Sequence, residues 1–235
     1  MSWDWKVFFQ DTGGGQTYLN WMMSAWGWTL LVSGLSLVVA LAVGSLMGIF
    51  RTTPVKALVW IGNAWTELFR NIPLLVQIFL WYHVIPSIWK PLQGVPDLFA
   101  VVIALGFFTS ARISEQVKAG IQALPRGQRY AGLAMGLTLP QVYQYVLLPM
   151  AYRIILPTLT SESMNIFKNS SVTYAVGVLE LYFQYKQIIE KTNQVLEITI
   201  VVTAIYFILA FSVNRIMALI ESRTRVPGYI TGGAK

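Results

Sequence analysis

At 235 residues the chain has the length of one or two soluble domains, yet 55% of it is hydrophobic and only 11% charged, where soluble domains carry roughly 25% charged residues. A mean hydropathy of +0.57 excludes that class, and the lack of cysteine excludes disulfides and thiolate metal sites. The net charge of +7 suits the basic inner loops of a membrane protein better than nucleic-acid binding.

In chain order, residues 1–22 read as an extracytoplasmic segment. They hold no basic stretch followed by an apolar core, so no cleavable signal peptide is expected. The glycines at 13–15 read as a flexible turn. Charge-free apolar runs then extend from Trp28 to Phe50, Asn71 to Trp89, Leu98 to Ala111 and Ile198 to Asn214. Each is near the ~20 residues that cross ~30 Å of hydrocarbon as a helix. The second span is expected to begin near Val55, because apolar residues keep helical spacing across Glu67 and Arg70. Those two charges lie three apart and predict an internal ion pair. His83, the sole histidine, has no second imidazole with which to share a metal and reads as a hydrogen-bonded interfacial residue. A fifth span, Gln141 to Lys168, is interrupted by Pro149, Arg153, Pro157 and Glu162. Such residues persist at membrane depth only where they face protein or water. The expectation is an all-α integral membrane protein of five transmembrane helices, forming a single domain over residues 1–235.

Basic residues predict orientation, since Lys- and Arg-rich loops stay cytoplasmic. With the N-terminus outside, the inner segments hold Arg51, Lys56, Lys118, Arg126, Arg129, Arg223, Arg225 and Lys235, and the outer ones only Lys6, Lys90, Lys186 and Lys191. The bias places the C-terminus in the cytoplasm.

Residues 120–140 form the cytoplasmic loop between the third and fourth spans. Pro125 and Gly127 punctuate its start, and Ala131, Leu133, Ala134, Met135 and Leu137 give a short helix a small, apolar surface. Such a helix suits a partner's groove or, alternatively, a membrane surface. In this stretch Ala131, Gly132, Gly136, Val146, Leu148 and Pro149 match the loop signature of ATP-binding-cassette (ABC) importer permeases, Glu-Ala-Ala, three residues, Gly, nine residues, Ile-x-Leu-Pro. "ELFRNIPLLVQ", "GIQALPRGQ", "LPMAYRIILPTLTSE" and "NIFKNS" resemble the polar amino-acid branch of that family. "ARISEQ" and "FKNSSVTYAVG" look most like its glutamate/aspartate importers. The family's usual Glu is here Tyr130, so no role of that carboxylate carries over.

The resemblance implies a type I ABC importer permease fold in a bacterial inner membrane. It also implies that the loop is a coupling helix, with Gly127, Ala131, Gly132, Ala134, Gly136 and Leu137 against an ATPase groove. The chain has no G-x-x-x-x-G-K-[S/T] and is expected to carry no cofactor, ATP and Mg being held by two partner ATPase subunits. The other implied partners are a second permease, expected to be a related chain because of Tyr130, and an extracytoplasmic substrate-binding protein. No nucleic acid is expected.

Arg112 follows fourteen uncharged residues. A guanidinium at a helix centre costs roughly 2.5–3.5 kcal/mol on insertion scales, so it has a partner or a function. It can pair with Glu115, snorkel, or line a substrate path with Thr109 and read a carboxylate bidentately. In the fourth span in chain order, Gln141 to Lys168, the residues Thr158, Ser161, Glu162, Asn165 and Lys168 recur at three- and four-residue steps, a polar stripe suited to a pathway wall. Glu162 is expected to balance Lys168 or Arg153 rather than receive a substrate ammonium. The reading is an amino-acid permease, with glutamate/aspartate as cargo. Its alternatives are another polar amino acid such as glutamine, or a stand-alone secondary transporter. An intramembrane enzyme would want a constellation of catalytic residues that one histidine and scattered carboxylates do not supply.

Overall fold

In a computed structural model the described residues are 3–224; Arg225 and Lys235 of the expected cytoplasmic tail lie outside them. Ten α-helices are arranged in chain order among these residues: α1 (Tyr18–Phe50), α2 (Lys56–Asn71), α3 (Leu74–Phe79), α4 (Ile85–Ile88), α5 (Asp97–Gln122), α6 (Arg126–Ala134), α7 (Leu139–Val142), α8 (Leu148–Asn169), α9 (Leu181–Thr192) and α10 (Val195–Thr224). Helices α1, α5 and α10 are each long and apolar enough to cross a membrane, and α2 with the two short helices after it makes a fourth crossing if counted as one broken span. Helix α8, the remaining expected span, has 22 residues, about 33 Å at 1.5 Å per residue, but carries Arg153, Glu162 and Lys168.

The chain divides into two compact units. One is built from the chain up to Val38, Ile72–Gly106 and Met164–Ser212, the other from Val39–Asn71, Phe107–Ser163 and the chain from Val213.

In the first unit the N-terminal segment is packed. A 3-10 turn over Trp5–Phe9 buries Val7 and Phe8 against Tyr18, Met22, Leu181, Ile188 and Ile198. The glycine turn is held by Asp11, whose Oδ1 accepts from Gly13 N at 3.0 Å and Gly15 N at 3.1 Å. Both glycines have positive φ, which a Cβ would disfavour. Helix α1 accordingly starts at Tyr18, ten residues before the charge-free run at Trp28.

The expected continuous second span is broken instead. Pro73 has no N–H to donate and disfavours helical geometry at Ile72, so α2 ends at Asn71 and a new helix starts at Leu74. Side-chain amides take up the freed carbonyls: Asn71 Nδ2 donates to Glu67 O at 2.8 Å and Gln77 Nε2 to Ile72 O at 2.9 Å. That substitution is what lets a helix break persist away from water. Nor do Glu67 and Arg70 pair: Arg70 Nη1 meets Glu115 Oε1 at 2.5 Å. His83 packs by ring contacts, stacked on Phe79 at 5.9 Å and edge-on to Tyr82 at 4.7 Å.

In the second unit small residues set the helix spacing. A Cβ on Gly44 would lie 2.7 Å from Ile113 Cβ, one on Gly48 2.7 Å from Val117 Cβ, and one on Gly120 2.6 Å from Ile155 Cγ2. Glycine at these positions brings α1 onto α5 and α5 onto α8, the packing by close approach that serves helices in lipid, where apolar burial gives no preference between neighbours.

Glu180, between α8 and α10, is fully buried in the first unit. It N-caps α9, accepting from Phe183 N at 2.8 Å, Tyr182 N at 2.9 Å and the Tyr206 hydroxyl at 2.9 Å. Burial outweighs these bonds and pushes its carboxyl up to about 7 from an ordinary 4.5. A carboxyl that binds its proton more tightly when folded contributes stability that is fully present below the unfolded value and is lost as pH rises through the folded one. The thermal midpoint should therefore fall as pH rises from about 5 to 8. Glu180→Gln, which keeps an acceptor and loses the charge, should flatten that slope in a melting series on purified protein; an unchanged slope would show that the carboxyl is ionised throughout.

Candidate functional site

Helix α5 puts its small polar residues inward and its guanidinium at the edge. Thr109, Ser110 and Ser114 are all fully buried, so Thr109 does not line an open path. Arg112 turns the other way: its Nε lies 3.1 Å from Glu162 Oε2 on α8, with side-chain exposures of 33% and 10%. The guanidinium carbon also lies 4.8 Å from the centroid of the Phe108 ring, a cation–π contact of the kind worth about 0.5–2 kcal/mol. The N–H is not aligned with the carboxylate, so the contact is ionic without being a hydrogen bond, and Arg112 Nη2 has no hydrogen-bond partner.

This arrangement replaces two expected pairings. Arg112 does not take Glu115, which is bound to Arg70, and Glu162 pairs with Arg112 rather than with Lys168 or Arg153. The physical reason is burial. The one carboxylate of α8 is buried and needs a counter-charge that also sits in the protein, whereas Lys168 and Arg153 are exposed and solvated without it.

The other residues of the polar stripe are not gathered at this pair. In the second unit Thr158 and Ser161 are exposed; in the first, Asn165 is half-buried and Lys168 exposed. Thr158 and Thr160 return their hydroxyls to helix carbonyls at 2.7 and 3.0 Å.

A second polar cluster escaped the reading of the sequence. Arg51, just past the end of α1, donates from Nε to Asn63 Oδ1 at 2.9 Å and from Nη1 to Thr66 Oγ1 and Ser114 Oγ, both at 3.3 Å. The Thr66 and Ser114 hydroxyls meet at 2.9 Å, and Trp65 Nε1 donates to Ser110 Oγ at 3.0 Å. The available signal was the spacing of Ser110 and Ser114, four apart within an apolar run, which places both on one helical face.

In the loop, Pro125 occupies the N-cap of α6. The helix closes with Gly136 N donating to Leu133 O at 3.0 Å and Leu137 N to Gly132 O at 3.2 Å, the paired bonds of a Schellman cap. Gly136 has φ 86°, so its glycine is required by the turn. Gly132 is buried, and a Cβ there would lie 3.0 Å from Val142 Cγ2; it lets α7 approach. Two residues expected to meet a partner thus serve the loop's own fold. The outer surface is made by Gly127, Tyr130, Ala131, Leu133, Ala134 and Met135, with Met135 82% exposed; Leu137 is half-buried.

If Arg112 and Glu162 compensate each other, removing one should cost more than removing both, since a lone buried charge is left behind. Thermal denaturation of Arg112→Gln, Glu162→Gln and the double variant should give a coupling of about 0.5–3 kcal/mol. Additive losses would show that the contact carries no energy.

The family described as binding-protein-dependent transport system inner membrane component matches residues 40–226. The chain is 40% identical over 243 aligned positions to the glutamate/aspartate import permease protein GltJ of Escherichia coli O6:H1, covering 99% of both chains. It is 25% identical over 201 positions to GltK, named as a permease of glutamate/aspartate import in the same strain, covering 83% of this chain and 90% of that one. Among solved structures, an amino acid ABC transporter crystallised with histidines aligns over 95% of this chain and 100% of its own, with a TM-score of 0.77 and 28% identity. The fold is that of a type I ABC importer permease. By a family match across most of its length and 40% identity over 99% of it, this multi-pass membrane chain belongs to the binding-protein-dependent transport system inner membrane components.

Proposed function

We propose that the chain is the permease subunit of an ATP-driven importer for acidic amino acids, glutamate and aspartate, and forms half of the translocation pathway. The observation that carries this is the end-to-end likeness to GltJ, 40% identical over 99% of both chains. Thr158, Ser161 and Lys168 support it, because they are exposed on a helix long enough to cross the membrane. Side chains of that kind face water or a second protein, not lipid. A second permease subunit covers this face. It is a related chain rather than a copy, in keeping with the two separate permease chains named for glutamate/aspartate import in one E. coli strain.

Arg112 is the group assigned to a substrate carboxylate. Its planar donors match a carboxylate in pairs, and a third of its side chain is exposed while Glu162 holds it. Substrate then competes with Glu162 for the guanidinium, and the exposed Ser161, next to Glu162 on α8, adds a hydroxyl to the polar wall. Two ATPase subunits that bind ATP and Mg work from the cytoplasmic side through α6, and an extracytoplasmic binding protein delivers the amino acid. The N-terminus lies outside and the C-terminus in the cytoplasm, as the basic residues Arg51, Lys56, Lys118, Arg126 and Arg129 favour.

Uptake of labelled glutamate, aspartate and glutamine should be measured in vesicles holding the purified complex, whose mass spectrum should show two permease masses. Glutamate and aspartate should be preferred at least about tenfold, a difference of ~1.4 kcal/mol. Arg112→Lys should retain part of the uptake and Arg112→Gln should lose it; preference for glutamine, or indifference to Arg112, would sink the assignment.

Coupling is tested on the outer face of α6. Gly136 is a poor probe, because any side chain at its positive φ strains the turn by about 1–2 kcal/mol before a partner is met. Ala134 is exposed and ends a regular helix. Ala134→Arg should leave membrane insertion and complex expression intact while reducing ATP-driven uptake to background. Normal uptake by this variant would remove α6 from the coupling interface.

A further inference from the structure

In the second unit a cavity of about 390 Å³ opens between the end of α1, the end of α5, the start of α6 and the segment before α8. Its polar lining is Arg51, Arg126, Arg129, Gln122, Thr52 and Tyr143, and no carboxylate lines it. Neither Arg126 nor Arg129 forms an ion pair among the described residues. Arg129 Nε is buried with no hydrogen-bond partner. Arg51 is held by neutral partners, Asn63, Thr66 and Ser114, with Glu115 and Glu67 acting on it at longer range and Arg70 opposing them.

The site is built rather than incidental. A π-helical turn over Tyr143–Leu147 brings both of its end residues to the cavity wall, and such turns recur at functional sites. The Tyr143 hydroxyl is fixed to Thr52 Oγ1 at 3.1 Å. Arg126 is the first residue of a nine-residue helix, whose unpaired N–H groups add a positive end at the same place.

We propose that this cavity binds a phosphate-bearing anion through Arg51, Arg126 and Arg129. Three guanidinium groups without a carboxylate among them match phosphate oxygens in number and geometry. The cavity is far larger than one water, whose share of liquid volume is ≈ 30 Å³, and so admits a phosphate together with the group it is esterified to. Arg51 directly follows a 33-residue apolar helix, which sets the cavity at the level where hydrocarbon gives way to headgroups. The phosphate comes from an anionic phospholipid headgroup or from a small phosphorylated solute, and basic pockets at this level are suited to the former.

The test uses the purified importer complex and does not depend on transport, so it stands apart from the substrate assignment. In one arm the complex is held in nanodiscs of phosphatidylcholine with phosphatidylglycerol, and native mass spectrometry counts retained anionic lipid. In the other, lipid-depleted complex in detergent is titrated with inorganic phosphate and its thermal midpoint followed. Arg126→Gln/Arg129→Gln should lose retained phosphatidylglycerol about tenfold, ~1.4 kcal/mol, and Arg126→Lys/Arg129→Lys, which keeps the charge without the fork, should lose less. Lys90→Gln/Lys186→Gln, a net-charge control at exposed positions, should lose none. A phosphate-dependent midpoint in the parent that the Gln variant lacks, with lipid retention equal in both, assigns the site to a soluble phosphate. Equal lipid retention together with equal phosphate response in parent and Gln variant overturns the proposal, as does a loss matched by the Lys90/Lys186 control.

Discussion

A charge inside hydrocarbon has no solvent to fall back on, and that constraint governs how this chain packs. Transfer of an unpaired guanidinium or carboxylate out of water costs several kcal/mol even after relaxation, which is a large part of the stability of a whole domain. Arg112 and Glu162 meet this cost by facing each other across α5 and α8 at 3.1 Å. The guanidinium carbon of Arg112 also lies over the Phe108 ring, where a ring face replaces part of the lost hydration. The same contact leaves a third of the guanidinium side chain exposed, so the charge is compensated without being sealed.

Uncharged polar groups obey the same rule at lower cost. The hydroxyls of Thr66, Ser110 and Ser114 are fully or almost fully buried, and each is used at least once, by Arg51, by Trp65 or by one another. Such a network holds three elements in register because every member has a partner; one left over would cost about 1–3 kcal/mol. Glycine supplies the complementary term. With Gly44 and Gly48 on one face of α1, backbone meets side chain closely enough for dispersion and hydrogen bonds to replace the hydrophobic effect, which is absent between helices in lipid.

How much could be read from residue order depends on the range of the interactions. Helices α1, α5 and α10 were legible because a charge-free run of sufficient length has one stable form in a bilayer. The break before Leu74 was written in Pro73, but apolar spacing that continues past Glu67 and Arg70 outweighed it. The ion pairs were not legible, since counting three or four residues along a helix offers only local partners. Arg70 reaches Glu115, 45 positions away, because the fold brings α2 onto α5. The Arg51 cluster was hidden for the same reason. The packing of the N-terminal segment was not legible either, since composition shows polarity but not that Val7 and Phe8 join a core with residues of α1, α9 and α10.

The loop shows how the same small residues can answer to local geometry as well as to a partner. Small residues at 132 and 136 suggest room for a partner, yet Gly136 is needed for a left-handed cap and Gly132 for the approach of Val142. These demands come before any partner does, because without the cap the last carbonyls of α6 have no donors and the helix frays. A second capping device, Thr138 N and Oγ1 donating to Gln141 Oε1 at 2.8 and 2.9 Å, starts α7 two residues later. Two helix ends fixed back to back hold α6 at a set angle to α7, so a displacement applied to the outer face of α6 passes on as movement of a rigid body instead of being absorbed by the turn. The stiffness of that turn comes from its paired hydrogen bonds more than from the smallness of its glycine.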